Sequence, residues 1–150
     1  RRDGRIVLMS GGGVAAMPNF SAYVTYKGGI LRFNETLAAE LAPSGIFVNA
    51  VAPGAVNTKF LDELLEAGPE KVGQEFYDRA LLQKKQGGVP AEKGADLVEW
   101  LLSDASRGLY GKMISAPWDP YRQLTDLESI SRSDLYAMRR VINRDGATKV

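Results

Sequence analysis

Three residues whose side chains can donate or accept protons are spaced so that they could lie close together in the fold. They are Ser10, Tyr23 and Lys27. Tyr23 and Lys27 are four positions apart, so on a helix they share one face, one turn apart. A cation there stabilises a phenolate, which makes the tyrosine a usable proton donor and acceptor. Ser10 stands thirteen positions before Tyr23, where a strand end could point its hydroxyl over the start of that helix. The spacing predicts acid–base chemistry at a helix start.

The composition removes most other catalytic groups. The 150 residues include no cysteine and no histidine, which excludes thiolate nucleophiles, Ser-His-Asp triads and most zinc sites, so no metal is expected. The 19 basic and 18 acidic side chains give a net charge of +1, so no general field attracts nucleic acid or an anionic membrane. Neither a membrane-spanning run nor a signal peptide is recognisable, and we expect a cytoplasmic protein without nucleic-acid or membrane partners.

Strand-like and helix-like segments alternate along the chain, which is typical of an α/β fold with a parallel sheet. The turn residues 43–45 separate the first predicted helix from the second predicted strand. The predicted strands are 5–10, 46–51 and 112–116, and the predicted helical segments are 21–42, 59–86 and a helix that begins at Pro90.

The glycine-rich segment 11–16 formally fits a dinucleotide-binding pattern but lacks its context. In that pattern a helix must start inside the motif so that its amides meet the phosphates. Residues 17–19 are unsuited to a helix, and the acidic residues at about the right distance, Glu35 and Glu40, fall inside the predicted helix. We therefore predict that this segment is not the phosphate loop.

Several segments in order resemble the short-chain dehydrogenase/reductase family. The family's signature of a serine followed by Tyr-x-x-x-Lys is present as Ser10, Tyr23 and Lys27. The other matching segments, in the family's order, are 37–41 leading to 45–49, 53–58, and 101–104 before 110–112. The resemblance covers residues 4 to about 116 and implies the carboxyl-terminal part of a doubly wound parallel-sheet Rossmann fold, with strands five to seven of the family's sheet.

The resemblance also implies roles for the three candidate catalytic residues. Tyr23 would exchange a proton with the substrate oxygen, and Ser10 would donate a hydrogen bond to that oxygen. Lys27 would bind the nicotinamide ribose and stabilise the phenolate of Tyr23. The implied reaction moves a hydride between NAD or NADP and a small alcohol or carbonyl substrate, which the sequence does not identify further.

The segment 53–58 carries the cofactor contacts that the resemblance implies. Pro53 and Gly54 would let the backbone approach the nicotinamide. Val56 would offer main-chain hydrogen bonds to the carboxamide, and Thr58 would offer a hydroxyl to the carboxamide or to a phosphate. Tyr23 and Lys27 complete the expected cofactor-binding set.

The organisation of the chain leads to two hypotheses. Residues 1–116 are predicted to be the carboxyl-terminal half of a Rossmann-type oxidoreductase domain, and 117–150 a carboxyl-terminal helical tail in which Trp118 is an anchor. Because the family's glycine-rich phosphate loop precedes these elements, we predict a fragment that is inactive alone. The alternative is a non-catalytic α/β binding or assembly module that retains the scaffold.

The predicted helix 21–42 has apolar residues on more of its surface than one sheet face can cover. In the family this helix pairs with its copy in a second subunit. The resemblance therefore implies a homodimer or homotetramer for the complete protein.

Overall fold

The computed structural model describes residues 3–11 and 14–140. Its three strands form one parallel sheet in the order β1-β2-β3, as the sequence predicts, and the α/β class is confirmed. The strands are β1 (Gly4–Met9), β2 (Ile46–Ala52) and β3 (Met113–Ser115). The helices are α1 (Ser21–Leu41), α2 (Lys59–Ala67), α3 (Pro69–Val72), α4 (Gln74–Gln86), α5 (Ala91–Leu102) and α6 (Leu127–Arg132).

The central strand β2 forms the middle of the core. Its residues Val48 to Val51 are all buried, because a parallel strand with a neighbour on each side and helices on both faces has no solvent-facing side. Val51 packs in a cluster with Leu97 and Leu101 of α5. The alternate residues of β2 point to the opposite face, which α1 covers with buried side chains such as Ala38.

The carboxyl ends of the three strands meet at one edge of the sheet. Met9 of β1 is in register with Val51, and Ala52 is in register with Ser115 of β3. Ser10 extends this alignment, since its N–H donates to the Val51 carbonyl at 2.8 Å. Residues that follow each strand are therefore presented at a common edge, where ligands bind in open α/β sheets.

The segment after β3 runs along the outer side of the sheet. The Met113 N–H donates to the Tyr136 carbonyl at 2.9 Å, so the chain's own tail pairs with β3. The prediction that Trp118 anchors this tail is wrong, because its side chain is exposed. Tyr121 serves instead: its ring packs on Trp100 of α5 with centroids 5.3 Å apart.

Among residues 3–11 and 14–140, no helix combines the length and apolar character needed to cross a lipid bilayer.

Candidate active site

Ser10 is held between a strand end and a helix. It is buried directly after β1, where its main chain is fixed by the hydrogen bond to Val51. Its Oγ donates a long hydrogen bond of 3.5 Å to the Lys27 carbonyl. The hydroxyl of Ser10 is therefore directed at the first turns of α1, as the sequence predicts.

Tyr23 and Lys27 lie on the first two turns of α1 and face the same region. The Lys27 ammonium group donates to the Met9 carbonyl at 3.3 Å and stands 5.9 Å from the centre of the Tyr23 ring. The Tyr23 hydroxyl is close to Gly11, where a Cβ would lie 3.7 Å from the phenolic oxygen. The structure thus brings Ser10, Tyr23 and Lys27 together around the end of β1.

The glycine-rich loop beside this group is described only in part. Gly11 has φ of 142°, a conformation that favours glycine. Gly12 and Gly13 lie outside the described residues. They belong to the segment 11–16, which the sequence predicts not to be a phosphate loop.

An aromatic residue that the sequence analysis missed supports Tyr23. Phe60 of α2 stacks on the Tyr23 ring, with centroids 5.3 Å apart and an angle of 14° between the planes. The two residues are far apart in the chain and no local pattern links them. The stacking restricts the orientation of the phenol, which is what a positioned proton donor needs.

Three of the residues predicted to contact a cofactor line a large cavity. Pro53, Val56 and Thr58 form one part of its wall together with Met9 at the end of β1, and its volume is about 950 Å³. Thr58 is the residue before the first turn of α2, and its side chain makes no capping hydrogen bond there, so its hydroxyl is available to a ligand. Val56 uses its N–H in a turn, donating to the Gly54 carbonyl at 3.0 Å.

Gly54 does not line this cavity. Its φ is 89°, and a Cβ at this position would come within 2.9 Å of the Pro117 side chain. The absence of a side chain at residue 54 is thus required by the turn and by contact with the segment after β3.

One face of α5 forms the opposite wall of the cavity and was not anticipated from the sequence. Most of this wall is made of small and apolar residues, namely Ala91, Gly94, Ala95, Val98 and Leu102, and Asp96, Glu99 and Ser103 also border the cavity. Gly94 lets the helix approach the loop closely, since a Cβ there would lie 3.2 Å from the Pro53 Cβ. A largely apolar wall facing the Thr58 hydroxyl and main-chain groups suits a planar ring with a polar substituent, so the residues present fit a nicotinamide.

The fold and the site define a class of protein. A parallel sheet with helices on both faces carries a serine, a tyrosine and a lysine at the carboxyl end of one strand, beside a cavity suited to a planar cofactor. A family model described as enoyl-(acyl carrier protein) reductase matches residues 1–116. The chain belongs to the short-chain dehydrogenase/reductase family, which confirms the resemblance found in the sequence.

Individual relatives agree with this assignment. The chain is 38% identical over 117 residues to the oxidoreductase UcpA of Salmonella typhimurium, a match covering 74% of this chain and 43% of that protein. Among solved structures, an actinorhodin polyketide ketoreductase with NADPH aligns with a TM-score of 0.66 at 28% identity, covering 77% of this chain and 46% of that one. An NAD+-bound xylitol dehydrogenase aligns with a TM-score of 0.64 at 31% identity, covering 76% and 48%. The chain spans less than half the length of these relatives.

Proposed function

We propose that this chain forms the catalytic part of an NAD- or NADP-dependent oxidoreductase that interconverts an alcohol and a carbonyl compound. The observation that carries the proposal is the position of Ser10, Tyr23 and Lys27 around the end of β1, next to the cavity lined by Pro53 and Thr58. The family assignment and the NADPH and NAD+ bound to two similar structures support it.

Each of the three side chains has one task in this proposal. The Tyr23 hydroxyl gives its proton to the substrate oxygen as the carbonyl is reduced and takes it back in the reverse direction. The Ser10 hydroxyl exchanges its long hydrogen bond to the Lys27 carbonyl for one to the same substrate oxygen and so stabilises the charge that develops on it. The Lys27 ammonium group lies near the Tyr23 ring and favours the phenolate that remains after proton transfer.

In this proposal, Lys27 and residues that line the large cavity bind the cofactor. A bound nicotinamide supplies or accepts the hydride. Lys27 has three N–H donors and uses one on the Met9 carbonyl, so others are available for ribose hydroxyls. Thr58 offers its hydroxyl, and Val56 offers its main-chain carbonyl, since its N–H is bound to Gly54. Pro53 together with the apolar residues of α5 forms a surface that excludes water from one side of the ring.

The assembly we propose uses the outer face of α1. Tyr26 and Phe33, two turns apart, are exposed large aromatic residues on this helix. Exposed aromatic surface of this kind is enriched at interfaces between subunits. We therefore keep the prediction that the complete protein is a homodimer or homotetramer through α1.

The test uses the protein purified as it occurs in the cell, a panel of small aldehydes and ketones, and NADH or NADPH oxidation as the readout. Lys27→Met keeps the length of the side chain and removes its charge, and Lys71→Met makes the same change at an exposed position of α3. Lys27→Met is expected to lower kcat/KM at least a hundredfold, while Lys71→Met stays within twofold of the parent.

Cofactor binding measured by nicotinamide fluorescence separates the two hypotheses. The oxidoreductase predicts that NADH or NADPH binds and that Lys27→Met weakens this binding. A protein that neither binds nor oxidises either cofactor would instead support the non-catalytic binding or assembly module. Full activity in Lys27→Met would show that the proposed catalytic group is wrong.

A further inference from the structure

The start of α1 carries Tyr23 and Lys27 but receives little support from the helix itself. The residue before the helix is Phe20, whose ring cannot accept the hydrogen bonds that a serine or aspartate accepts at that position. The first turn contains no acidic residue to interact favourably with the helix dipole. Gly28 and Gly29, which are poor helix formers, follow directly after Lys27. The two turns that carry the candidate catalytic residues therefore depend on packing against other elements.

That packing comes from a second hydrophobic core, which α2, α3 and α4 build among themselves. Phe20 packs against this core, and its ring lies 4.6 Å from the ring of Phe76 on α4. Phe60 of α2 stacks on Tyr23, one turn further along α1. We call these four rings the aromatic clamp: Phe20, Phe76, Tyr23 and Phe60. The buried side chains of the second core are Leu61, Leu64, Val72 and Ala80.

Polar contacts bind the two outer helices of this core to each other. Gln83 of α4 donates to the Ala55 carbonyl at 3.0 Å and to Asn57 Oδ1 at 3.1 Å, in the segment that leads into α2. Lys84 of α4 also forms an ion pair with Asp62 of α2. Phe60 and Phe76 therefore contact the start of α1 from one packed unit.

Phe60 contributes more to the orientation of Tyr23 than to the second core. Its side chain is 47% exposed, so it adds only part of its apolar surface to the fold. Its ring nevertheless lies nearly parallel to the Tyr23 ring, at an angle of 14°. A contact between ring faces limits the tilt of the phenol and does not use its hydroxyl, which stays directed by the ring.

We propose that Phe60 and Phe76 are positioning residues that hold the first turn of α1 through the aromatic clamp, in place of a polar helix cap, and that Phe60 sets the orientation of the Tyr23 hydroxyl. The catalytic part of this inference rests on the proposed function, whereas the part that concerns the helix start rests on the packing alone. Both residues act through α1 and neither takes part in the proton or hydride transfer.

Steady-state kinetics on the protein purified as it occurs in the cell test the role of Phe60. Phe60→Leu keeps an apolar side chain at an exposed position but loses the flat ring, so we expect it to fold and to lower kcat about tenfold. Phe60→Tyr keeps the ring and should stay within twofold of the parent. Phe47→Leu is the matched control, because it removes a ring that stacks on Tyr110, outside the candidate active site, and it should also stay within twofold.

A double-mutant cycle separates positioning from a general loss of structure. If Phe60 acts through the Tyr23 hydroxyl, Phe60→Leu should lower the residual activity of Tyr23→Phe by less than twofold. Equal tenfold losses in the two backgrounds would show that Phe60 acts independently of that hydroxyl and would overturn its assignment.

Hydrogen exchange of the peptide 20–27 tests the aromatic clamp without any substrate. The Val24 N–H in this peptide donates to the Phe20 carbonyl at 2.9 Å and closes the first turn of α1. Phe60→Leu and Phe76→Leu should each speed exchange in this peptide about fivefold, while the peptide 34–41 at the other end of α1 stays within twofold. Phe47→Leu should leave both peptides within twofold. Unchanged exchange of 20–27 in either clamp variant would overturn the role given to that residue.

The two measurements distinguish a failure of this inference from a failure of the proposed function. A parent protein that converts no alcohol or carbonyl compound with either cofactor would refute the proposed function, and hydrogen exchange would still decide whether the clamp holds α1. An active parent protein together with full activity of Phe60→Leu would refute the positioning role alone.

Discussion

The two edges of the sheet differ in how they are covered. At β1, the apolar side chains of Ile6 and Met9 are 36% and 48% exposed, and Met9 borders the large cavity. At β3, the Met113 N–H pairs with the Tyr136 carbonyl, and Ile114 is completely buried under the tail. The chain covers the β3 edge of its sheet with its own residues, whereas the apolar side chains at the β1 edge are exposed.

The candidate catalytic residues lie near the β1 edge, and the contacts that stabilise the fold lie near the β3 edge. Ser10, Tyr23 and the cavity all lie next to the open edge, where additional chain or a ligand can reach them. The tail secures the opposite edge through the hydrogen bond that Ser131 accepts from the Tyr110 N–H and through the ion pair between Arg139 and Glu35 of α1. Changes near β1 should therefore affect activity or association, and changes near β3 should affect stability.

The largest expected effect is on catalysis at the open edge. Tyr23→Phe removes the phenolic oxygen but keeps the ring that stacks on Phe60, so it should lower kcat about a thousandfold with little change in stability. Tyr26→Phe, the same substitution at an exposed neighbour, is the control and should stay within twofold. Steady-state kinetics with NADH and NADPH measure both. Activity of Tyr23→Phe within tenfold of the parent would remove Tyr23 from the catalytic group.

The next effect is on stability at the covered edge. The Ser131 hydroxyl accepts from the Tyr110 N–H at 2.9 Å and lies 2.9 Å from the Gly108 carbonyl. Ser131→Ala leaves that N–H unpaired and should lower the free energy of unfolding by about 2 kcal/mol, as measured by urea denaturation. Ser129→Ala, at an exposed position of the same helix, should change it by less than about 0.5 kcal/mol. Equal effects of the two substitutions would show that the tail does not secure this edge.

A smaller effect concerns association through the open edge. Exposed apolar strand edges promote pairing between chains, and a lysine there opposes it. Ile6→Lys should raise, by about tenfold, the concentration at which the 150-residue chain begins to self-associate. Light scattering after size exclusion measures this concentration. Leu82→Lys, an equivalent change at an exposed position of α4, should have little effect. A parent chain that stays monomeric at high concentration would contradict the role given to β1.

Local patterns were enough to predict much of this molecule. The three strands lie within two residues of their predicted bounds, because each is a short apolar run beside glycine or proline. The proximity of Tyr23 and Lys27 follows from helical periodicity alone. Ser10 could be placed next to them because it ends the strand that leads to that helix.

Contacts between distant segments could not be predicted in the same way. Neither the stacking of Phe60 on Tyr23 nor the pairing of Tyr136 with Met113 has a local signal, since each depends on how separate elements pack. The α5 wall was missed for the same reason: its helix was predicted, but not which of its faces borders the cavity. The catalytic and cofactor roles themselves stay predictions.

The smallest effect is a pH dependence at the covered edge. Lys112 is buried, and its ammonium group donates to the Ser133 carbonyl at 2.7 Å. Burial, followed by the nearby charge of Arg139, holds the pKa of Lys112 below its usual 10.5, although Glu35 and Asp134 act in the opposite direction. Between the lowered pKa and 10.5 the unfolded chain binds more protons than the folded one, so Lys112 makes the free energy of unfolding rise with pH across this window.

Urea denaturation across alkaline pH, compared with a variant that cannot titrate, tests this sign. The stability difference between the parent and Lys112→Met should shift in favour of the parent as pH rises toward 10.5. The difference between the parent and Lys71→Met, at an exposed position, should stay constant over the same range. A constant difference for Lys112→Met would mean that the tail leaves the Lys112 ammonium group accessible to water, and would weaken the contrast between the two edges.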